Sequence, residues 1–261
     1  MKAICKDLTE EYDALDAVVS KLDEAQWKTV TLFYEWDIED EIIHIAYIDA
    51  MAKLAAVDPD GFAQHFEDIK AGRIKINEKT LSPDLNLSIP QLLDYWRRER
   101  GDMLAALAVK NPKDRLPWYG PTMSARSFVT ARIMETWAHG QDVYDALGLE
   151  RSATERLRHV AHLGVITYGW SFANRKLAVP ETPIRVELAG QGGDLWTWGP
   201  EDADETVTGS AQDFCLVVTQ RRNVADTNVV ATGEIAQRWM QIAQAFAGPA
   251  EDGPPAGRFK K

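Results

Sequence analysis

The spacing of apolar residues changes near residue 178, and this change limits the folds open to the chain. Before it, apolar side chains recur at intervals of three and four, which is typical of amphipathic helices. After Pro180 apolar and polar residues alternate, which indicates strands. We therefore predict an α+β protein with a helical domain at residues 1–178 and a small α/β domain at 179–248. The Gly-, Pro- and charge-rich residues 249–261 predict a flexible tail.

Capping and turn residues give the ends of the predicted helices. The first domain should contain helices at about 38–57, 88–109, 124–147 and 153–177. Ser88 is a plausible N-cap, Asp58 and Pro59 end the first of these helices, and Gly148 stops the third. In the second domain a hairpin pairs residues 184–188 with 195–198, and shorter elements follow at 206–208, 211–220, 229–231 and 234–247.

Charge and composition exclude several classes of protein. The 261 residues include 29 Lys and Arg against 40 Asp and Glu, a net charge of -11, which argues against nucleic acid as a partner. No run reaches the roughly 18 apolar residues that a membrane helix needs, and the first residues do not resemble a signal peptide. We therefore expect a cytoplasmic protein. Cys5 and Cys215 form no CxxC pair and are expected to be ordinary thiols.

Glu135 and His139 are separated by four residues on one predicted helix, and His44 lies on another. Side chains at positions i and i+4 share a helix face, so these two could converge on one ion with His44 as a third ligand. Two nitrogens and a carboxylate suit zinc or a similar divalent metal, with a fourth position left for water or substrate. Spacing alone also allows an ordinary solvated helix edge, and this alternative stays open.

Other catalytic templates are missing from the sequence. There is no GxSxG elbow, no HExxH helix and no GxxxxGK[ST] phosphate loop. The glycines at 190, 192 and 193 are not followed by a dinucleotide-binding helix. His65 is expected at the surface, whereas His159 and His162 are expected to pack or to form hydrogen bonds.

Four segments resemble the mycothiol-dependent maleylpyruvate isomerase family of the DinB-like metal-binding superfamily. They are the stretch from Trp36 to His44, the stretch 135–142, and the C-terminal stretches 209–221 and 231–234. The likeness is greatest to a subgroup described only as metal-binding proteins. It implies a DinB-like helical bundle followed by a small α/β domain, with His44, Glu135 and His139 as metal ligands. The family's active-site arginine matches Arg221, with the adjacent Arg222 as the alternative.

The resemblance further implies an enzyme with a divalent metal, zinc in particular, and a low-molecular-weight thiol such as mycothiol or glutathione. Such an enzyme isomerises a small, carboxylate-bearing substrate or transfers the thiol to it. Arg221, alone or with Arg132, could bind the carboxylate through a two-pronged hydrogen bond. Asp142, three residues beyond His139, could orient a ligand or a nearby water, and an exposed helix carboxylate is the alternative for it. Two alternatives stay open: a metal-stabilised ligand-binding or accessory protein, and a metal-dependent hydrolase. The sequence indicates no oligomeric state.

Overall fold

The computed structural model describes residues 1–77, 79–120 and 122–259, so the last two residues of the predicted tail lie outside the described part. The chain forms two compact units, Met1–Glu150 and Arg151–Lys261. The first is helical and the second contains a small sheet, which confirms the predicted fold class. Within the described residues, no helix is both long and apolar enough to cross a membrane.

The first unit is a helical bundle with one short strand pair. Its helices and strands are α1 (Lys2–Val19), α2 (Glu24–Trp27), α3 (Ile38–Val57), α4 (Pro59–Lys70), α5 (Ile89–Ala108), β1 (Arg115–Leu116), β2 (Met123–Ser124) and α6 (Ala125–Ala146). The two strands pair antiparallel.

Helix pairing in this unit follows the apolar spacing in the sequence. Leu8, Tyr12 and Leu15 form the buried face of α1, which packs against α6. Helix α3 packs against α5 and also contacts α6. Burying one large apolar side chain contributes about 1.5–3 kcal/mol, so these interfaces hold the helices firmly. Because α3 and α6 are neighbours, polar side chains on the two helices can meet inside the bundle.

The ends of α3 and α6 depend on local capping chemistry. Asp37 caps α3 by accepting from the backbone N–H of Asp40, and the Asp40 side chain accepts from the backbone N–H of Asp37. The helix then runs over Ile38–Val57, as predicted. Ser124 caps the start of α6. Gly148, with φ +64°, takes the left-handed conformation beyond its end, as the sequence predicts.

The second unit surrounds a four-stranded sheet. Its elements are α7 (Leu157–Ile166), α8 (Tyr168–Ala173), β3 (Ile184–Ala189), β4 (Leu195–Trp198), β5 (Glu205–Ser210), α9 (Ala211–Val218), β6 (Val230–Thr232) and α10 (Glu234–Ile242). The strand order is β4-β3-β5-β6, and only the β3–β5 pair is parallel. The predicted hairpin is confirmed as β3 and β4, with Leu188 opposite Trp196.

The structure differs from the expectation for residues 153–177. Instead of one helix that belongs to the first domain, it contains α7 and α8, which lie in the second compact unit. Helix α7 packs on α9 so closely that a Cβ at Gly164 would lie 2.8 Å from Val218 Cγ2. The apolar faces of α7 and α8 are therefore covered by α9 and α10, and the units divide after Glu150, upstream of residue 178.

Residues of the predicted tail make hydrogen bonds within the second unit. The backbone N–H of Gly257 donates to the Asp226 carboxylate, and the amide of Asn223 donates to the carbonyl of Pro254. The amide of Gln244 donates to the carbonyl of Pro249. These hydrogen bonds attach the described part of the segment to the rest of the second unit.

Candidate metal centre

Helices α3 and α6 bring the three predicted ligand residues together. His44 lies on α3, and Glu135 and His139 lie on successive turns of α6. Oε2 of Glu135 is 3.3 Å from Nε2 of His139 and 4.0 Å from Nε2 of His44. One ligand atom from each of the three residues lies within 4.8 Å of the others.

The Nδ1 atom of each histidine has a hydrogen-bond partner outside the ligand group, so the Nε2 atom faces the common centre. Nδ1 of His44 lies 2.8 Å from the carbonyl oxygen of Thr80, and Nδ1 of His139 lies 2.7 Å from Oε2 of Glu41. A carbonyl oxygen can only accept, so Nδ1 of His44 carries the proton in that hydrogen bond. The lone pair is then on Nε2, the nitrogen that faces Glu135. This is how histidine ligands are held in many metal sites.

Burial and hydrogen bonding favour the protonation states that bind metals. Burial lowers the pKa of His44, which keeps the ring neutral. For Glu135, burial alone would raise the pKa, but hydrogen bonds with His139 and His44 and the charge of Arg132 hold it well below its usual range. The centre thus combines a neutral imidazole with an ionised carboxylate.

The donor set fits a tetrahedral metal with an open position. Ligand atoms about 2.0–2.1 Å from zinc lie roughly 3.3–3.4 Å apart, close to the 3.3 Å between His139 and Glu135. The distance from Nε2 of His44 to Oε2 of Glu135, 4.0 Å, is slightly longer. The side chain of Glu135 is 26% exposed, whereas those of His44 and His139 are 9% and 6% exposed. The centre is therefore closed around the histidines and accessible at the carboxylate.

Two aromatic side chains from the segment before α3 cover the histidines. The Trp36 ring lies nearly parallel to that of His139, with centroids 5.8 Å apart and planes at 8°. Trp36 also contacts His44 at 5.2 Å, and the Phe33 ring meets His139 edge-on at 5.2 Å. These contacts limit the tilt of both imidazoles.

The segment that carries Phe33 and Trp36 forms a tight turn. The backbone N–H of Thr31 donates to the carbonyl of Trp36 over 2.6 Å, and the N–H of Trp36 donates to the carbonyl of Phe33. Between them Tyr34 and Glu35 take left-handed conformations, with φ of 47° and 58°. Residues with side chains rarely adopt this region, so the turn is strained.

Two residues that the sequence associated with ligand and substrate have other contacts in the structure. Arg132 is buried and paired with Asp49, with Nη2 and Oδ1 2.9 Å apart, so its charge is matched inside the first unit. Asp142 approaches His139 Nδ1 only to 3.9 Å, and the short hydrogen bond goes to Glu41. Among the described residues, Glu41, His139 and Asp142 form a second group with metal-ligand spacing.

Sequence reasoning missed Glu41 and Thr80. Glu41 precedes His44 by three residues, so the two side chains share a face of the predicted helix, and this spacing is a signal that could have identified it. Thr80 gives no such signal because it contributes only a backbone carbonyl.

Arg221 lies after α9 in the second unit. Its side chain is buried, and Nη1 donates to the carbonyl of Thr219 over 2.9 Å. The guanidinium of the neighbouring Arg222 lies 3.8 Å above the ring of Phe259. A catalytic role for Arg221 stays a prediction.

His65 and His162 have partners outside the metal group. His65 Nε2 lies 2.8 Å from the hydroxyl of Tyr47, and His162 accepts a hydrogen bond from the indole of Trp198. His65, expected at the surface, is in fact half-buried.

Comparison with known protein families gives two matches. The model of the mycothiol maleylpyruvate isomerase N-terminal domain matches residues 8–144, which include all three candidate ligands. A model described as wyosine base formation matches residues 180–232. The latter covers about a fifth of the chain and does not define the family of the whole.

Similar proteins and similar solved structures extend over most of the chain. Two uncharacterized proteins of Mycobacterium tuberculosis, from strains H37Rv and CDC 1551, are each 46% identical over 243 residues, covering 93% of this chain and 95% of the relative. Crystal structures of a mycothiol-dependent maleylpyruvate isomerase and of its histidine-to-alanine mutant give TM-scores of 0.54 and 0.55. They are 18% and 16% identical and cover 88% of this chain and 91% of theirs, which shows a common fold.

Proposed function

The chain belongs to the family of the mycothiol maleylpyruvate isomerase N-terminal domain, and on that premise we propose that it is a metal-dependent enzyme that uses a low-molecular-weight thiol. The reaction is an isomerisation of a small, carboxylate-bearing substrate, or a transfer of the thiol to it. Maleylpyruvate, which the similar solved enzyme is named for, is the first substrate to test.

One observation carries the proposal. Both histidines have Nδ1 occupied by a buried acceptor, and both present Nε2 to the carboxylate of Glu135. An ordinary surface pair on a helix would not need these acceptors. We propose His44, Glu135 and His139 as the ligands of a divalent metal, and the mixture of two nitrogens and one oxygen favours zinc.

In this proposal the thiol comes from outside the chain, because neither cysteine is placed to supply it. Cys5 and Cys215 are both buried, burial raises the pKa of each thiol, and neither belongs to the ligand group. A divalent metal held by His44, Glu135 and His139 would favour the thiolate of a bound thiol, mycothiol or glutathione, at neutral pH.

The protein's own side chains orient the centre and limit its access to solvent. Trp36 and Phe33 cover the histidine side, and the exposed edge of Glu135 leaves the opposite side for thiol and substrate. Arg221 is proposed to hold the substrate carboxylate through a two-pronged hydrogen bond. The net charge of -11 supports a small molecule rather than nucleic acid as the partner.

Metal content tests the ligand assignment. Protein purified with zinc and dialysed should retain one equivalent per chain by elemental analysis, while His44→Ala, His139→Ala and Glu135→Gln should each lose it. His65→Ala is the matched control because that histidine pairs with Tyr47 instead. Full retention of zinc in both His44→Ala and His139→Ala would remove the proposed site.

Activity tests the reaction class. The zinc-loaded protein is incubated with maleylpyruvate in the presence and absence of mycothiol or glutathione, and the cis and trans isomers are separated by chromatography. Thiol-dependent isomerisation or a thiol adduct supports the proposal. Hydrolysis products formed without thiol favour a hydrolase, and metal binding with no turnover in the presence of either thiol favours an accessory protein.

A further inference from the structure

The carboxylate of Glu41 connects the aromatic segment to the metal centre. Oε1 accepts a hydrogen bond from the hydroxyl of Thr31 over 2.8 Å, and Oε2 lies 2.7 Å from Nδ1 of His139. Glu41 is fully buried and Thr31 nearly so. Each oxygen therefore has a defined partner, and the side chain is held between the turn and the imidazole.

The contact with Glu41 determines which nitrogen of the His139 ring carries the proton and which faces Glu135. Trp36 and Phe33 limit the tilt of the ring, but a half-turn about the Cβ–Cγ bond would still put a ring carbon in the place of each nitrogen. An ionised carboxylate only accepts hydrogen bonds, so it selects the tautomer with the proton on Nδ1. The lone pair of Nε2 then faces Glu135.

We propose that Glu41, supported by Thr31, is the positioning residue of the metal centre: it fixes the orientation and tautomer of His139 without itself binding the metal. The inference rests on the proposed function, because it requires His44, Glu135 and His139 to be the ligands. Hydrogen-bonded partners of this kind typically contribute a factor of about 10–100 to metal affinity.

The second candidate group predicts a different outcome. If Glu41, His139 and Asp142 held the ion, both carboxylates would be ligands and Glu135 would not. If Glu41 only supplied negative charge near His139, Asp142, 3.9 Å from the same nitrogen, would act in a similar way. Comparing Glu41→Gln with Asp142→Asn therefore separates positioning from ligation and from general electrostatics.

The experiment measures the Zn²⁺ affinity of the full chain by competition with a chromophoric chelator. Glu41→Gln should bind zinc about 10–100-fold more weakly than the parent, since the neutral amide can also donate and so no longer selects one tautomer. Thr31→Val should weaken binding about threefold or more, and Thr31→Ser should restore it. Asp142→Asn should stay within about threefold of the parent.

A second readout detects positioning directly. In metal-free protein, the ¹⁵N chemical shifts of the His139 ring should show the Nδ1-protonated tautomer in the parent and a mixture in Glu41→Gln, with unchanged melting temperature as the check on folding. A variant that was only less stable would show the lower melting temperature and keep the parent's tautomer.

The outcomes keep the two proposals distinct. A parent chain that binds no zinc, or a Glu135→Gln variant that binds it normally, contradicts the ligand assignment. A parent that binds zinc while Glu41→Gln matches it in affinity and tautomer overturns the positioning role alone, as does an equal loss in Asp142→Asn. Should Glu41→Gln fail to fold, equal affinities of Thr31→Val and Thr31→Ser would overturn it.

Discussion

Arg132 and Asp49 form an ion pair inside the first unit, with Nη2 of Arg132 2.9 Å from Oδ1 of Asp49, one helical turn before Glu135. Asp49 also accepts hydrogen bonds from the hydroxyl of Tyr12 at 2.5 Å and from the indole of Trp96 at 3.2 Å. The contacts connect four helices, α1, α3, α5 and α6. Arg132 thus helps to hold these helices together, although the sequence had suggested substrate binding.

Removal of one partner from this pair should destabilise the first unit strongly. We expect Asp49→Ala to lower the free energy of unfolding by about 3–5 kcal/mol, because it leaves a buried guanidinium without its counter-charge. The measurement is urea denaturation. The double variant Asp49→Leu with Arg132→Met should recover much of the loss, and failure of Asp49→Ala to shift the midpoint would contradict the assignment.

Removal of the metal should lower the melting temperature, because a metal bound by the three ligands stabilises the folded state. A ligand present at a hundredfold excess over its dissociation constant stabilises the folded state by about 2.7 kcal/mol. Addition of a chelator to the zinc-loaded parent should therefore lower the melting temperature by several degrees in calorimetry. His44→Ala should melt at the same temperature with and without chelator, and an equal response in this variant would place the ion elsewhere.

Substitution of Arg221 should affect turnover more than folding. Loss of a two-pronged contact to a substrate carboxylate costs a few kcal/mol, so Arg221→Ala should slow the thiol-dependent reaction by roughly 10²-fold. Arg221→Lys keeps the charge without the fork and should recover only part of the rate. Kinetics, metal content and melting temperature are compared for both. Unchanged turnover with a large fall in melting temperature would instead assign Arg221 a structural role.

Acid should weaken the contact between α1 and α5. Asp16 accepts two hydrogen bonds from the guanidinium of Arg97, at 2.9 and 2.6 Å, and a third from Arg100 at 2.6 Å. Burial alone would raise the pKa of Asp16, but these arginines hold it below the ordinary 3.8. A carboxylate whose folded pKa is depressed stabilises the fold above the unfolded pKa, and this contribution disappears as pH falls through the folded value.

We therefore expect Asp16→Asn to lower the free energy of unfolding by about 1–2 kcal/mol at pH 7, with a smaller difference from the parent at an acidic pH below the depressed pKa of Asp16. Denaturation curves at both pH values measure it. Asp202→Asn, at an exposed turn of the second unit, is the control for loss of one charge. A difference that persisted in acid would show that packing rather than charge is responsible.

The sequence predicts helix ends well because the signals are local. The Asp37 cap, the Asp58 and Pro59 stop and the left-handed Gly148 each act within a few residues, and the structure places α3 and α6 between them. The i,i+4 pairing of Glu135 with His139 is equally local, so the sequence could identify this pair of candidate ligands.

What the sequence could not show depends on contacts between distant residues. His44 and Thr80 are separated by 36 positions, and Glu41 and His139 by 98, so no spacing rule connects them. The assignment of α7 to the second unit has the same origin. Its apolar spacing resembles that of the earlier helices, and only the close fit of Gly164 against α9 shows which core it covers.

The turn that carries Phe33 and Trp36 is a place where substitution could make this protein more stable. Tyr34 and Glu35 each hold a left-handed conformation that costs about 1–2 kcal/mol relative to the right-handed one. Glycine would remove that cost, so the present sequence is not the most stable one available to this backbone. Glycine at either position would leave Phe33 and Trp36 in place over the histidines, so engineering for thermostability would begin at Tyr34 and Glu35.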